Sequence, residues 1–274
     1  MQEGLCAGLA CLLRRRAMHS PYPPPIPPEM LLLAYRSGIF PMADSREDTE
    51  IFWVEPRERA IIPLDGFRMS RSLAKVVRQD RFRVTLDGDF AGVINACAQP
   101  RPDQPESWIS HRIVESYHAL QAAGHVHSIE CWSGSELVGG LYGVAFDSVF
   151  CGESMFSRRP DASKVALAWL VALMRMAGYR LLDCQFMTDH LASLGAVEIP
   201  QNRYLELLSE ASVPPNMGLA EAYSSVASAG AAAGEADAAG AGVAEAPVAG
   251  ADSRGAAPPS SPGKLIAQSL TQTS

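Results

Sequence analysis

"SVFCGESMFSRRPDASKVALAWLVALMRMAGYRLLDCQF", residues 148–186, is the stretch that decides the fold. Its first nine residues read as a strand. Behind Asp161, a possible cap, Leu167, Leu170, Val171 and Met174 fall at helical spacing. The last eight residues read as a buried strand. Upstream, "HSIECW" and "ELVGGLYGVAF" flank a turn at Ser133–Gly134–Ser135, so three segments make a β-meander. Downstream come a short helix and "VEIP". Antiparallel strands, a helix and a returning strand describe an α+β layer fold.

The returning strand holds Asp183 and Gln185 inside an apolar run. Alternation puts both on one face and Cys184 on the other. A buried polar group without a partner costs about 1–3 kcal/mol. Two readings follow: a hydrogen-bonded pair that stabilises the strand, or a pair aimed at a substrate.

Working outward, "PPEMLLLAYRSG" predicts a helix stopped by Gly38, and "IFWVEPRERAIIPL" two short strands around Pro56. Ser70 is placed to cap "RSLAKVVRQ", which runs into the alternating strand "RFRVTL". Helices are expected at Phe90–Ala98 and at Arg112–Ala123, ending at Gly124. The folded part is residues 29–210, with a small amino-terminal α/β part at 29–100 and the main part at 101–210. Residues 1–28 read as a disordered segment running into a polyproline spacer. Arg14, Arg15 and Arg16 follow the apolar stretch there, the wrong order for a secretory signal, and leave an organelle-transit reading as the alternative. Residues 211–274, rich in Ala, Gly, Ser and Pro, read as a disordered tail.

The chain is 47% hydrophobic with a formal net charge of −7, which suits a globular protein and gives no global sign of nucleic-acid binding. No run of 18 apolar residues occurs, so no membrane span is expected. Six scattered cysteines without a CxxC pair argue against a disulfide framework or zinc site and for a reducing compartment. His125 and His127 share a strand face but have no third ligand at suitable spacing, so no metal is expected. Between Gly66 and Arg83 six basic residues face one acid. Arg71, Lys75 and Arg78 fall on one helix face, either a solvated surface or a phosphate-binding patch.

The blocks "AYRSGIFPM", "FWVEPRERAIIPL", "SWIS", "GHVHSIECW", "ELVGGLYGV", "FCGESMFSRRPDASKVAL", "LLDCQF" and "DHLASLGAVEIP" occur in one order across about residues 30–208. Together they resemble the leucyl/phenylalanyl-tRNA–protein transferases. The resemblance implies an enzyme that takes Leu or Phe (and Met) from charged tRNA. It joins that residue to the amino terminus of a protein beginning with Arg or Lys, creating a degradation signal. It implies an acetyltransferase-superfamily-like (GNAT-like) core, no cofactor, a cytoplasmic monomer, and Leu-tRNA, Phe-tRNA and acceptor proteins as partners. The Ala-rich tail has no counterpart in it.

By the same resemblance, Asp183 orients the side chain of Gln185, whose oxygen accepts from the attacking amine. Glu153 meets the cationic acceptor; its alternative is a salt bridge to Arg158 or Arg159. Leu141, Phe150, Leu167, Leu170, Met174 and Leu182 line a deep apolar pocket for an unbranched side chain. Tyr35, Met42, Trp108 and Gly152 lie around the adenosine at the tRNA 3′ end. Met42 stands where the family often has Trp, and Trp53 is a candidate to replace that ring. Arg71, Lys75 and Arg78 match a tRNA-backbone patch. Two rivals remain open. An acetyl-CoA-dependent N-acetyltransferase needs a glycine-rich pyrophosphate loop, whereas "FSRRPDASK" has no glycine. The other is a non-catalytic tRNA- or degron-binding module.

Overall fold

The computed structural model describes residues 23–100, 106–240 and 261–271. The expectations for residues 1–22, 241–260 and 272–274 lie outside them. Helix α1 (Pro28–Arg36) begins with a proline, whose missing N–H is no loss at a first turn, and stops at Gly38, φ +77°. Strands β1 (Phe40–Met42) and β2 (Phe52–Val54) form an antiparallel pair. β3 (Glu58–Ile62) follows, then α2 (Arg71–Arg78), where Ser70 Oγ accepts the Leu73 N–H at 3.2 Å. Next come β4 (Arg83–Leu86), α3 (Phe90–Cys97) and α4 (His111–Ala122).

The meander is β5 (Val126–Ser133), β6 (Glu136–Phe146) and β7 (Val149–Ser157). Helix α5 (Ala162–Ala177) carries the chain to β8 (Leu181–Gln185), followed by α6 (Asp189–Ser193), β9 (Val197–Pro200) and α7 (Gln201–Glu210). The last described elements are α8 (Leu219–Gly240) and α9 (Pro262–Thr271).

Seven strands form one mixed sheet in the order β4-β5-β6-β7-β8-β3-β9. Among the described residues only β7 and β8 pair in parallel, which is why a helix must cross between them. Alternation along the strands sorts side chains to two apolar clusters, one per face. Phe150 and Leu182 join α5, α2, α8 and α9 in the first. Val149, Cys151 and Leu181 join α1, α3, α4 and α7 in the second. A sheet covered on both faces hides its central strands, so any polar group there must find a partner inside.

Two expectations are corrected. Asp161 makes no side-chain cap on α5; it lies at φ +70° and its carboxylate turns to Lys164, 3.7 Å away. Nor is residue range 219–271 a disordered tail throughout. In α8, Leu219, Ala222 and Val226 are buried against the first cluster, and in α9 Ile266, Ala267 and Leu270 are too. A few apolar residues at helical spacing suffice when a preformed face receives them, a feature that averaged composition hides. The Gly263 N–H donates to Asp80 Oδ1 at 2.8 Å, and a Cβ at Gly263 would stand 2.0 Å from the Val77 carbonyl oxygen. No helix among the described residues is long and apolar enough to cross a membrane.

Candidate active site

Backbone pairing of β7 with β8 covers Val149–Leu181, Phe150–Leu182 and Cys151–Asp183. Just past the last pair stand Glu153 and Gln185, and the Gln185 Nε2 donates to Glu153 Oε1 at 2.9 Å. The two side chains bridge the place where the parallel strands stop pairing. Both are buried.

Two further donors converge on Glu153. The Tyr35 hydroxyl donates to Oε1 at 2.8 Å and the Tyr117 hydroxyl to Oε2 at 2.9 Å, and the two hydroxyls also touch each other. Burial pushes the Glu153 carboxyl up to about 7, against the pull of these three hydrogen bonds. Burial also holds both tyrosines well above the ordinary phenol range, which keeps them donors. Arg158 and Arg159 are engaged elsewhere, with the Leu137 carbonyl and with Glu136, so neither is the partner of Glu153. Tyr35 is fully buried, and its ring presents no open face to an adenine. Its contribution is the hydroxyl. Tyr117 was not anticipated: in "HRIVESYHAL" it shows only the apolar spacing of a helix face.

Asp183 meets Gln185 through the backbone, not through the side-chain amide. Its Oδ1 accepts the Gln185 N–H at 2.8 Å. The rest of the carboxylate belongs to Arg59, whose Nε and Nη2 donate at 2.9 and 2.6 Å, and to the Tyr204 hydroxyl at 3.0 Å. The Gln185 amide is oriented by Glu153, which takes its N–H and leaves its oxygen available. This overturns the expectation that Asp183 orients that side chain. The pairing of β3 with β8 shifts register between Ala60 and Ile61, opposite Gln185 and Asp183. Gln185 itself sits at φ +63°. Irregularities of this kind re-aim a side chain at a strand end.

Leu141, Phe150, Leu167, Leu170, Met174 and Leu182 do come together, all buried in the cluster between the sheet and α5. Met155, half-buried on β7 beyond Glu153, packs against the same cluster. A separate cleft of about 860 Å³, lined by Ile61, Leu64, Arg175, Tyr179 and Leu207 among others, opens at the other end of β8. Met42 and Trp108 are half-buried against the second cluster. Register pairs Met42 with Phe52, whereas Trp53 pairs with Pro41, so the ring beside Met42 is Phe52 and not Trp53. At Gly152 a Cβ would meet the Asp183 carbonyl oxygen at 3.4 Å. Arg71, Lys75 and Arg78 are exposed on α2 while Leu73, Val76 and Val77 bury its other face. His127 pairs with Asp87 at 2.7 Å and His125 with the Ala145 carbonyl.

A buried amide, a carboxyl pushed up to about 7 and two phenol donors, gathered where strands part in an α+β sheet, mark this as an enzyme's site. The particular kind is given by comparison with known proteins. The family profile described as Leucyl/phenylalanyl-tRNA protein transferase matches residues 61–209, and that of its N-terminal domain matches residues 25–57. A leucyl/phenylalanyl-tRNA–protein transferase of Novosphingobium aromaticivorans is 60% identical over 92% of this chain and 98% of its own length. Those of Zymomonas mobilis (58% identical over 68% of this chain and 69% of its length) and Rhizorhabdus wittichii (56%, over 68% and 75%) are also similar. The chain belongs to the leucyl/phenylalanyl-tRNA–protein transferase family, enzymes that move an aminoacyl group from tRNA to protein amino termini.

The Novosphingobium match covers more residues than precede position 211, so part of the carboxy-terminal segment is shared with that relative, contrary to expectation. Alignment with solved structures is weak: a functionally unknown protein from Staphylococcus epidermidis gives a TM-score of 0.33 at 14% identity, over 52% of this chain and 57% of its own. The fold is mixed α+β, built on a mixed sheet.

Proposed function

We propose that this chain transfers Leu or Phe, and also Met, from aminoacyl-tRNA to proteins whose amino terminus is Arg or Lys. We propose further that it works as a cytoplasmic monomer on an acetyltransferase-like core. The α-amine of the acceptor attacks the ester carbonyl, the amine loses a proton, and the 3′ oxygen of the tRNA leaves and takes one up. An α-amine has a pKa of about 7.7–8.0, so part of it is neutral near pH 7. An amide is far too weak to be a base, and the ester is already activated, so the enzyme's task is placement.

In this reading the Gln185 oxygen, left open because Glu153 takes the amide N–H, accepts from the incoming amine. The observation that carries it is that 2.9 Å hydrogen bond between Gln185 and Glu153. Ionised Glu153 adds attraction for a cationic acceptor, which a charge-assisted contact makes stronger than a neutral one. The donor side chain enters beside Met155 toward Leu141, Leu170 and Met174, where straight-chain and aromatic side chains fit. Met42 with Phe52, and Trp108, take the adenosine, and Gly152 lets it approach the strand. The exposed Arg71, Lys75 and Arg78 face takes tRNA phosphates.

Isotope-labelled acetyl-CoA and Leu-, Phe- and Ile-charged tRNA, each offered with an Arg-starting peptide, test the reading. Labelled Leu or Phe should appear on the peptide. Acetylation, or binding without transfer, would replace it with one of the rival functions.

A further inference from the structure

We infer that Arg59 is the positioning residue of the transfer site: through Asp183 it fixes the backbone turn that aims Gln185 at the substrate. The inference rests on the reading of Gln185 given above and assigns Asp183 a different task from substrate contact.

Lone-pair accounting makes the case. An ionised carboxylate offers about four acceptor sites. At Asp183 these are taken by Arg59 Nε, Arg59 Nη2, the Tyr204 hydroxyl and the Gln185 backbone N–H, and the buried Cys151 thiol also hydrogen-bonds the same carboxylate. Nothing is left over for an amine or for the Gln185 side chain. Asp183 is therefore a bracket with one end in Arg59 and the other in the backbone of Gln185. An Asx side chain that binds the N–H two residues on closes a local turn. Here the turn coincides with the register shift against β3 and with Gln185 at φ +63°, a conformation an L-residue keeps only when its surroundings impose it.

Arg59 supplies that imposition. Its side chain is fully buried, and its planar fork binds Asp183 bidentately while Nη1 donates to the Gly38 carbonyl at 3.0 Å. The guanidinium lies between the rings of Phe40 and Tyr204, 4.8 and 4.3 Å from their centroids. Burial, the largest single influence, lowers its pKa, but the facing Asp183 charge, the hydrogen bonds to that carboxylate and the nearby Tyr204 together raise it on balance. A lysine could neutralise Asp183 from this position but could not satisfy both oxygens and Gly38 at once.

The test is a kinetic cycle between Arg59→Lys and Gln185→Gly, with thermal melts of every variant. Arg59→Lys should lower kcat by about tenfold or more, since a misplacement of about 1 Å can cost 10²-fold. The KM values for aminoacyl-tRNA and acceptor peptide should stay near those of the parent. In Gln185→Gly, read at high enzyme concentration, the same change should make less than about a twofold further difference, because there is no amide left to aim. If Arg59→Lys does not fold, Tyr204→Phe, which keeps the ion pair and removes one donor to Asp183, should show a smaller loss of the same kind. An unchanged kcat, a shift confined to KM, or an equal loss in both backgrounds overturns the role of Arg59 alone. Full transfer by Gln185→Gly overturns the reading of Gln185 and this inference with it.

Discussion

Gln185 occupies the left-handed region of backbone space, and Asp183, two residues earlier, holds it there by accepting its N–H at 2.8 Å. For an L-residue other than Asn or Asp that region costs about 1–2 kcal/mol. The strain is local to the one residue whose amide faces the gap between β7 and β8. A glycine at 185 would take the same turn without strain.

Gln185→Gly is accordingly expected to abolish most transfer while keeping stability within about 1 kcal/mol of the parent, the relief of strain offsetting the lost hydrogen bond to Glu153. Steady-state transfer and a thermal melt measure the two halves. Gln185→Ala should lose the same activity and melt lower than the glycine variant, because its Cβ keeps the strain.

Glu153 gives a pH signature. Its folded-state pKa of about 7 lies above the ordinary 4.5, so the stability it contributes is full below about 4.5 and is lost as pH rises through 7. Over that window the parent should lose stability relative to Glu153→Gln. Transfer runs the other way: kcat/KM for an Arg-starting peptide should rise through pH 7 as the carboxyl ionises. Glu153→Gln should keep only the rise that belongs to the acceptor amine, near about 7.7–8.0. A variant profile identical to the parent's would assign the lower limb to another group.

Replacing Arg71, Lys75 and Arg78 together by Ala should weaken tRNA use and spare a short aminoacyl-adenosine donor. The log–log salt slope should fall by about one for each phosphate that is no longer neutralised. Binding titrations over a range of salt concentrations read it directly. An unaltered slope would leave this face of α2 as plain solvated surface.

Gly263→Ala tests the docking of α9. The added Cβ would be driven against the Val77 carbonyl oxygen, 2.0 Å away, and against Asp80. Backbone cannot yield cheaply there, so the variant should lose about 1–3 kcal/mol or release the helix. A lowered melting temperature with faster carboxy-terminal proteolysis is the expected result. Parent-like values for both would show that the helix is not seated as described.

Much of the element order was legible because periodicity is local. Ser70 as a cap, Gly38 and Gly124 as stops, and the strand–helix–strand run of residues 148–186 need only neighbours along the chain. The partners were not legible, because they are distant. In "EPRERAII" Arg59 reads as one more polar strand residue, and only the approach of Asp183, 124 residues on, makes it a buried ion. Tyr117 meets Glu153 across 36 residues, and no spacing rule marks its hydroxyl. The even alternation of Asp183 and Gln185 did put both toward the second cluster, yet it could not show that a backbone turn between them divides their tasks. At the carboxy terminus the error was of averaging: Ile266 and Leu270 are few, but they land on an existing face.

The Gly38 carbonyl lies inside the amino-terminal stretch, just after α1, and Arg59 falls between the two stretches that the family profiles match, residues 25–57 and 61–209. That position bears on modularity. Two units recombined between relatives would bring along their own outer surfaces unchanged, but the junction carries a cation whose counter-ion is in one unit and whose third acceptor is in the other. A chimaera joined on either side of Arg59 inherits a requirement from both parents: a Gly38-like carbonyl delivered at 3.0 Å and an Asp183-like carboxylate facing it. Shuffled chains that meet only one of these would bury either a cation without its counter-ion or a guanidinium N–H without an acceptor, so inheritance of the two segments should be linked.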